Sequence, residues 1–291
     1  MSKSSILLGS LATIVIIELS LFLYLNTEEL KRYKKESSLK NQFKTTENIG
    51  RMIVTAKTND SRNIQVGEII NEYSKKIDGD LSIYYKDLTT DESIILEGDK
   101  KYYMASLYKI ILTLFLLDEV EKGNITLDAQ VGTSSAKLEF ALEKIITESN
   151  NEYAEILADE YGWKAIERAM KEKLGIEFSF GEDLETSVKN IGTLFENIAL
   201  SLNTERAHSE YILKLLQNQT LTSKLPKYLP SSVYSHNKTG ELNEYSHDAG
   251  IFYTPKANYV LVFMSKTQDP KSTNEQMALM SKEIYESLNG L

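Results

Sequence analysis

Ser106 and Lys109 stand three residues apart at the head of a long apolar run that opens at Tyr102 and closes at Asp128. Three residues is just under one helical turn, so this spacing sets a hydroxyl and an amine on one face, one above the other. The run continues through Ile110, Ile111, Leu114, Phe115 and Leu117, apolar on nearly every side, the pattern of a buried helix. Burial penalises the charged form of a lysine and lowers its pKa. A neutral amine beside a serine is a base beside a nucleophile, the pairing that acyl transfer through a covalent intermediate needs.

Spacing alone does not single this pair out. S-x-x-K occurs at Ser37/Lys40, Ser106/Lys109, Ser134/Lys137 and Ser235/Lys238, and a serine before an apolar run is also an ordinary N-cap. Two further triplets narrow the choice. Ser149-Asn150-Asn151 falls between two stretches of helical periodicity, although Ser61-Arg62-Asn63 repeats its pattern. Lys238-Thr239-Gly240 follows a strand-like run and occurs once.

The elements that must position these residues follow from periodicity. A helical stripe covers residues 66–77, and strand-like runs at 81–88 and 93–96 make a hairpin ahead of the Ser106 helix. Helical patterns then cover 140–149, 151–161, 163–174, 188–200 and 208–218. Strands return at 233–236, 247–253 and 259–265, and an amphipathic helix at 272–288 closes the chain. Because strands lie at both ends of this order, the fold class is α+β: one sheet flanked by helices, carrying an all-helical sub-lobe. A site is expected in the cleft between sheet and helical lobe.

Composition narrows the function. A net charge of −9 argues against nucleic acid, whose phosphates need a basic face. The chain has no cysteine, which removes disulfides, thiolate metal sites and a cysteine nucleophile together. His208, His236 and His247 are scattered, so no metal site and no cofactor is expected.

Residues 1–5 form a short tail, and a twenty-residue apolar run then opens at Ile6 and closes at Leu25, long enough to span a bilayer. Its thirteen Leu, Ile, Val and Phe residues offer about −4 to −8 kcal/mol of insertion energy, against about +3 for Glu18. No small-residue cleavage site follows, so residues 6–25 are expected to be a retained transmembrane signal anchor. Residues 26–65 are polar and expected to form a stalk, with the domain proper at 66–291. Lys31, Arg32, Lys34 and Lys35 follow the span, which by the positive-inside rule alone would place the domain in the cytoplasm.

The ordered set S-x-x-K, S-x-N, K-T-G resembles the penicillin-recognising serine hydrolases, the class A β-lactamases and their penicillin-binding-protein relatives. The flanks agree: Tyr103-Met104-Ala105-Ser106, Thr147 to Ala154, and the strand His247-Asp248-Ala249-Gly250-Ile251-Phe252-Tyr253. The resemblance covers residues 66–291. It implies an antiparallel sheet and a catalytic set of Ser106 as nucleophile, Lys109 as base, Ser149 as proton relay and Lys238 beside it. It further implies substrate contacts from Asn151, Thr239 and Gly240, and an oxyanion hole from the backbone N–H groups of Ser106 and Glu241. His247 stands nearest to the family's carboxylate-binding arginine. The implied substrates are β-lactams or D-alanyl peptides of peptidoglycan, which lie outside the cytoplasm. The domain is therefore expected there, against the charge rule.

Two departures bear on the chemistry. Asn150 stands where the family's S-D-N segment has Asp. The loop after the helical block is short, Gly175 being followed by IEFSFGEDLE, and lacks the E-x-x-L-N whose glutamate activates the deacylating water; Glu182 or Glu185 could substitute. The leading expectation is a membrane-anchored serine hydrolase with long-lived acyl-enzymes. The alternatives are a true β-lactamase with a different deacylation base, and a non-catalytic envelope binding protein.

Overall fold

Alternating side chains along three neighbouring strands bury a sheet on both faces. A computed structural model describes residues 46–49, 52–55, 61–181, 183–203 and 205–291 of the chain. Its strands are β1 (Thr46–Ile49), β2 (Met52–Thr55), β3 (Asp80–Asp87), β4 (Ser93–Leu96), β5 (Lys101–Tyr103), β6 (Glu185–Ser187), β7 (Tyr234–Leu242), β8 (Tyr245–Tyr253) and β9 (Asn258–Lys266). Its helices are α1 (Ser61–Ser74), α2 (Tyr108–Glu121), α3 (Leu138–Thr147), α4 (Asn151–Tyr161), α5 (Trp163–Leu174), α6 (Val188–Leu200), α7 (Arg206–Gln217) and α8 (Pro270–Asn289). A 3-10 turn, Ala105–Leu107, leads into α2.

Seven strands form one antiparallel sheet in the order β1-β2-β4-β3-β9-β8-β7, while β5 and β6 pair separately. In β3, Leu81, Ile83 and Tyr85 face a core built with α1 and α8, whereas Tyr84 faces the core of the helical lobe. In β9, Tyr259, Leu261 and Phe263 take the first face and Val260, Val262 and Met264 the second. This is the period of two that a strand imposes, here apolar in both directions. Helix α2 is the helical counterpart: every residue from Tyr108 to Asp118 is buried.

The antiparallel α+β architecture is the expected one, and α4, α5 and α6 have the expected ends. Local chemistry sets those ends. The side chains of Asn150 and Ser187 accept from the N–H groups of Tyr153 and Asn190, capping α4 and α6, and Gly175 closes α5 in a left-handed conformation.

Three expectations are corrected. The polar stalk does not extend to residue 65, because β1, β2 and the first turn of α1 fall within it; β2 pairs with β4 through backbone bonds that need no apolar pattern. Strands β5 and β6, three residues each, were not expected. The strand ending in K-T-G runs on to Leu242, so the triplet sits mid-strand. The apolar run at 6–25 lies outside the described residues; among those described, no helix is long and apolar enough to cross a membrane.

Helix α6 lies flat on the sheet at Gly192, where an added Cβ would come within 2.3 Å of the Tyr84 ring. The Tyr84 hydroxyl donates to Glu196 on the same helix at 3.0 Å, so the ring cannot swing away freely. Gly192→Ala is expected to cost about 1–3 kcal/mol through overpacking. Urea denaturation measures it; a stabilised variant, the ordinary result of Gly→Ala in a helix, would contradict this packing.

Candidate active site

Three elements converge on one hydroxyl. Lys109, in the first turn of α2, donates from its Nζ to the Ser149 carbonyl oxygen at 2.6 Å and to Asn151 Oδ1 at 2.5 Å, and lies 3.3 Å from Ser149 Oγ. Lys238, on β7, donates to the same Ser149 Oγ at 2.8 Å and to the Thr239 carbonyl at 2.9 Å. Both lysines are fully buried. Ser149 holds a left-handed backbone at φ 58°, a conformation that costs a non-glycine residue about 1–3 kcal/mol.

Ser106 is half-buried in the 3-10 turn just before α2. Ala105 beside it has φ 46°, a second strained position in the same site. Strand β7 passes close over this turn. A Cβ on Gly240 would sit 3.1 Å from the Met104 carbonyl and 3.3 Å from the Ser106 nitrogen, so a glycine here eases the close approach of strand and turn. That approach sets the Ser106 N–H beside the strand that carries the Glu241 N–H. The Thr239 hydroxyl donates to the His247 carbonyl at 3.1 Å.

The electrostatics follow from burial. Desolvation pushes the Lys109 amine down to about 8, against the Glu155 carboxylate, which favours the charged form. Desolvation and then the neighbouring Lys109 charge push Lys238 down to about 7, opposed by Asp248. Near neutral pH one proton is therefore easily removed from this pair. A hydroxyl has one donor and two acceptor sites, so with the two amines donating to it Ser149 keeps its own O–H to give. The arrangement can accept a proton from a nucleophile and deliver one to a leaving group.

The structure thus brings together Ser149, Asn151, Lys109 and Lys238, with Thr239 and Gly240 on the same strand and Ser106 against it. His247 is corrected. It is wholly buried, its Nε2 donates to the Tyr103 carbonyl at 2.8 Å, and its Nδ1 accepts from the Ser265 N–H at 3.2 Å. Desolvation pushes its pKa down to about 4, so the ring is neutral and tied at both nitrogens, unable to reach a substrate carboxylate. Asn150 differs from the expected Asp without loss of a local role, since its amide oxygen caps α4. Glu185, on β6, faces Tyr103 across a strand pair and is exposed; Glu182 lies outside the described residues.

Sequence reasoning missed Lys224, buried under β7 and donating to the His247 carbonyl at 2.9 Å, and its neighbour Asp248. Nothing in the local pattern marks Lys224, which precedes Leu225 and Pro226 in a segment without periodicity. Asp118, Glu121 and His208 bring possible metal-ligating atoms within 4.8 Å of one another. There Lys173 already stands 2.5 Å from Asp118 and supplies the cation, which makes the group an ion-pair cluster at the end of α2.

A family model described as the beta-lactamase enzyme family matches residues 65–288. The chain belongs to that family. Its catalytic module is a β-lactamase-like serine hydrolase domain. No curated protein matches it. Among solved structures it is similar to PBP-A, at 21% identity and a TM-score of 0.69 over 78% of this chain and 97% of that one. A beta-lactamase from Chitinophaga pinensis superposes at 19% identity and 0.70 over 78% and 99%. A class A beta-lactamase representative from Bacteroides cellulosilyticus does so at 19% and 0.70 over 80% and 100%.

The two buried amines make folding pH-dependent. Lysines titrate near 10.5 when unfolded but near 8 and 7 here, so the unfolded chain binds more protons between pH 8 and 10. Stability is expected to rise with pH through that window. It should fall above about pH 10, where the buried Tyr84, Tyr85 and Tyr102 hydroxyls stay protonated only in the fold. Urea midpoints measured from about pH 7.5 to 9.5 check this. Lys109→Met and Lys238→Met should each flatten the rise, and a wild-type profile without slope would mean that both amines stay charged.

Proposed function

We propose that this beta-lactamase-family domain forms an acyl-enzyme at Ser106 with β-lactams or D-alanyl peptidoglycan peptides and releases it slowly. The observation that carries the reading is the Ser149 hydroxyl shared between two buried lysines, with Ser106 on a strained turn packed against the strand that carries one of them. Ser106 Oγ attacks the carbonyl carbon while its proton passes to neutral Lys109. The oxyanion is held by the N–H groups of Ser106 and Glu241, each such donor contributing about 3–4 kcal/mol. The C–N bond then breaks, the leaving nitrogen takes the Ser149 proton, and Lys109 or Lys238 restores it. Asn151 and Thr239 hold the substrate. A mutant of PBP-A, 20% identical to this chain, is solved as an acyl-enzyme complex with penicillin G.

Slow release follows from the loop between α5 and α6. That loop lacks the E-x-x-L-N whose glutamate activates the deacylating water in the family, and Glu185 on it is exposed at the end of a strand. The same reading places the domain on the outer face of a membrane, anchored through residues 6–25, where its substrates are made. Protease accessibility on intact cells tests that placement.

Labelling with a fluorescent penicillin, followed by a chase with unlabelled drug, tests the chemistry. Label should appear in the wild type, vanish in Ser106→Ala, and persist through the chase. Rapid loss with steady turnover of a chromogenic cephalosporin would instead favour a hydrolysing β-lactamase. Equal labelling of Ser106→Ala would overturn the assignment of the nucleophile.

A further inference from the structure

Helix α4 brings an acid to the site from a direction the shortened loop does not. Asn151, in its first turn, holds Lys109 Nζ at 2.5 Å through its Oδ1. Glu155 follows four residues later on the same face, and helical side chains lean back toward the N-terminus, so its carboxylate leans toward that contact. Its charge is felt on both sides of the nucleophile. Burial holds the phenols of Tyr103 and Tyr108, three residues before Ser106 and two after it, in their protonated form, and Glu155 is the first charge to add to that effect at each. At Lys109 the same carboxylate opposes burial by favouring the ammonium form.

Other acids around the site are already engaged. Asp159, one turn further along α4, accepts from Trp163 Nε1 at 2.7 Å. Glu241 stands 2.9 Å from Lys224 and accepts from Asn274 Nδ2 at 3.2 Å. Asp248 is wholly buried and accepts from the Leu225 N–H and the Asn237 amide. Glu155 is exposed, and among the described residues it makes no hydrogen bond and no ion pair. An acid open to water and not spent on a partner can take a proton from a water molecule.

Resting on the acyl-transfer reading, we propose that Glu155 is the base that activates water to free the acyl group from Ser106. Its carboxylate takes one proton from water, and the water oxygen bonds to the acyl carbon. The bond from that carbon to Ser106 Oγ then breaks, Ser106 Oγ takes a proton from Ser149, and the acid leaves. The proton on Glu155 returns through Lys109 to Ser149, which restores the starting state. With nothing among the described residues to fix it, the carboxylate holds the productive pose only part of the time, so release is slow rather than blocked.

The test acylates the full chain with benzylpenicillin and follows the Ser106 adduct by mass spectrometry, both its formation on mixing and its loss once free drug is removed. Glu155→Gln should slow the loss about a hundredfold, the low end for a general base, and leave formation no slower. Glu155→Asp should keep part of the release. Added formate should restore part of it to Glu155→Ala, which a purely structural role would not allow. Glu155 is exposed, so these substitutions open no cavity. A wild-type adduct that is never lost, release unchanged in Glu155→Gln, or formation slowed as much as release overturns this proposal alone. No adduct at Ser106 in the wild type overturns the acyl-transfer reading and this proposal with it.

Discussion

Two lysine amines meeting at one serine hydroxyl is the constraint on which the rest depends. Lys109 comes from the buried helix, Lys238 from the edge of the sheet, and Ser149 from the turn between α3 and α4. Among the described residues neither lysine has a carboxylate within contact distance, so each is held by oxygens of hydroxyl, amide and carbonyl groups. Such partners satisfy an amine in either protonation state, whereas a carboxylate would fix it as a cation. The left-handed backbone at Ser149 lets one residue offer both its hydroxyl and its carbonyl to Lys109. Local strain there is the cost of that double contact, and the Asn150 cap on the next residue helps to hold it.

Beneath the edge strand lies a second polar layer that keeps it in place. Asp248 accepts from the N–H groups of Leu225 and Ala249 and from the Asn237 amide. His247 joins β8 to Tyr103 ahead of the nucleophile turn and to Ser265 on β9. These bonds tie the strand carrying Lys238 to the turn carrying Ser106. Buried polar groups stabilise a unique arrangement only when nearly all are satisfied, and here the satisfied ones bridge the two sides of the site.

Most of the scaffold was legible in the sequence because its elements announce themselves locally. Helices α4 and α5 have one apolar stripe, a capping residue or a glycine at each end, and no competing pattern. β9 reads as a continuous apolar run. The parts that were not legible depend on partners far away in the chain. β5 and β6 exist only because they pair with each other, and three residues carry no period. The inward turn of His247 and the burial of Lys224 are decided by what packs above them, which neither residue type nor spacing records. Ser106, Lys109, Ser149 and Lys238 were legible as an ordered set, although none of their motifs was distinctive alone.

The strand order has a consequence for when this molecule can act. β7 is joined to the sheet only through β8, β8 is held by β9, and β9 takes its place by pairing with β3, so that Asp87 faces Tyr259. Ser106 and Lys109 belong to the early part of the domain, but Lys238 is not positioned until a strand near the end of the chain has closed the sheet. Pairings between such distant segments form slowly, because the intervening chain must be brought round first. A nascent or truncated chain can carry the nucleophile and its helix without the second amine in place. On the acyl-transfer reading, the pair of amines at Ser149 is therefore complete only after β9 and β8 have joined the sheet.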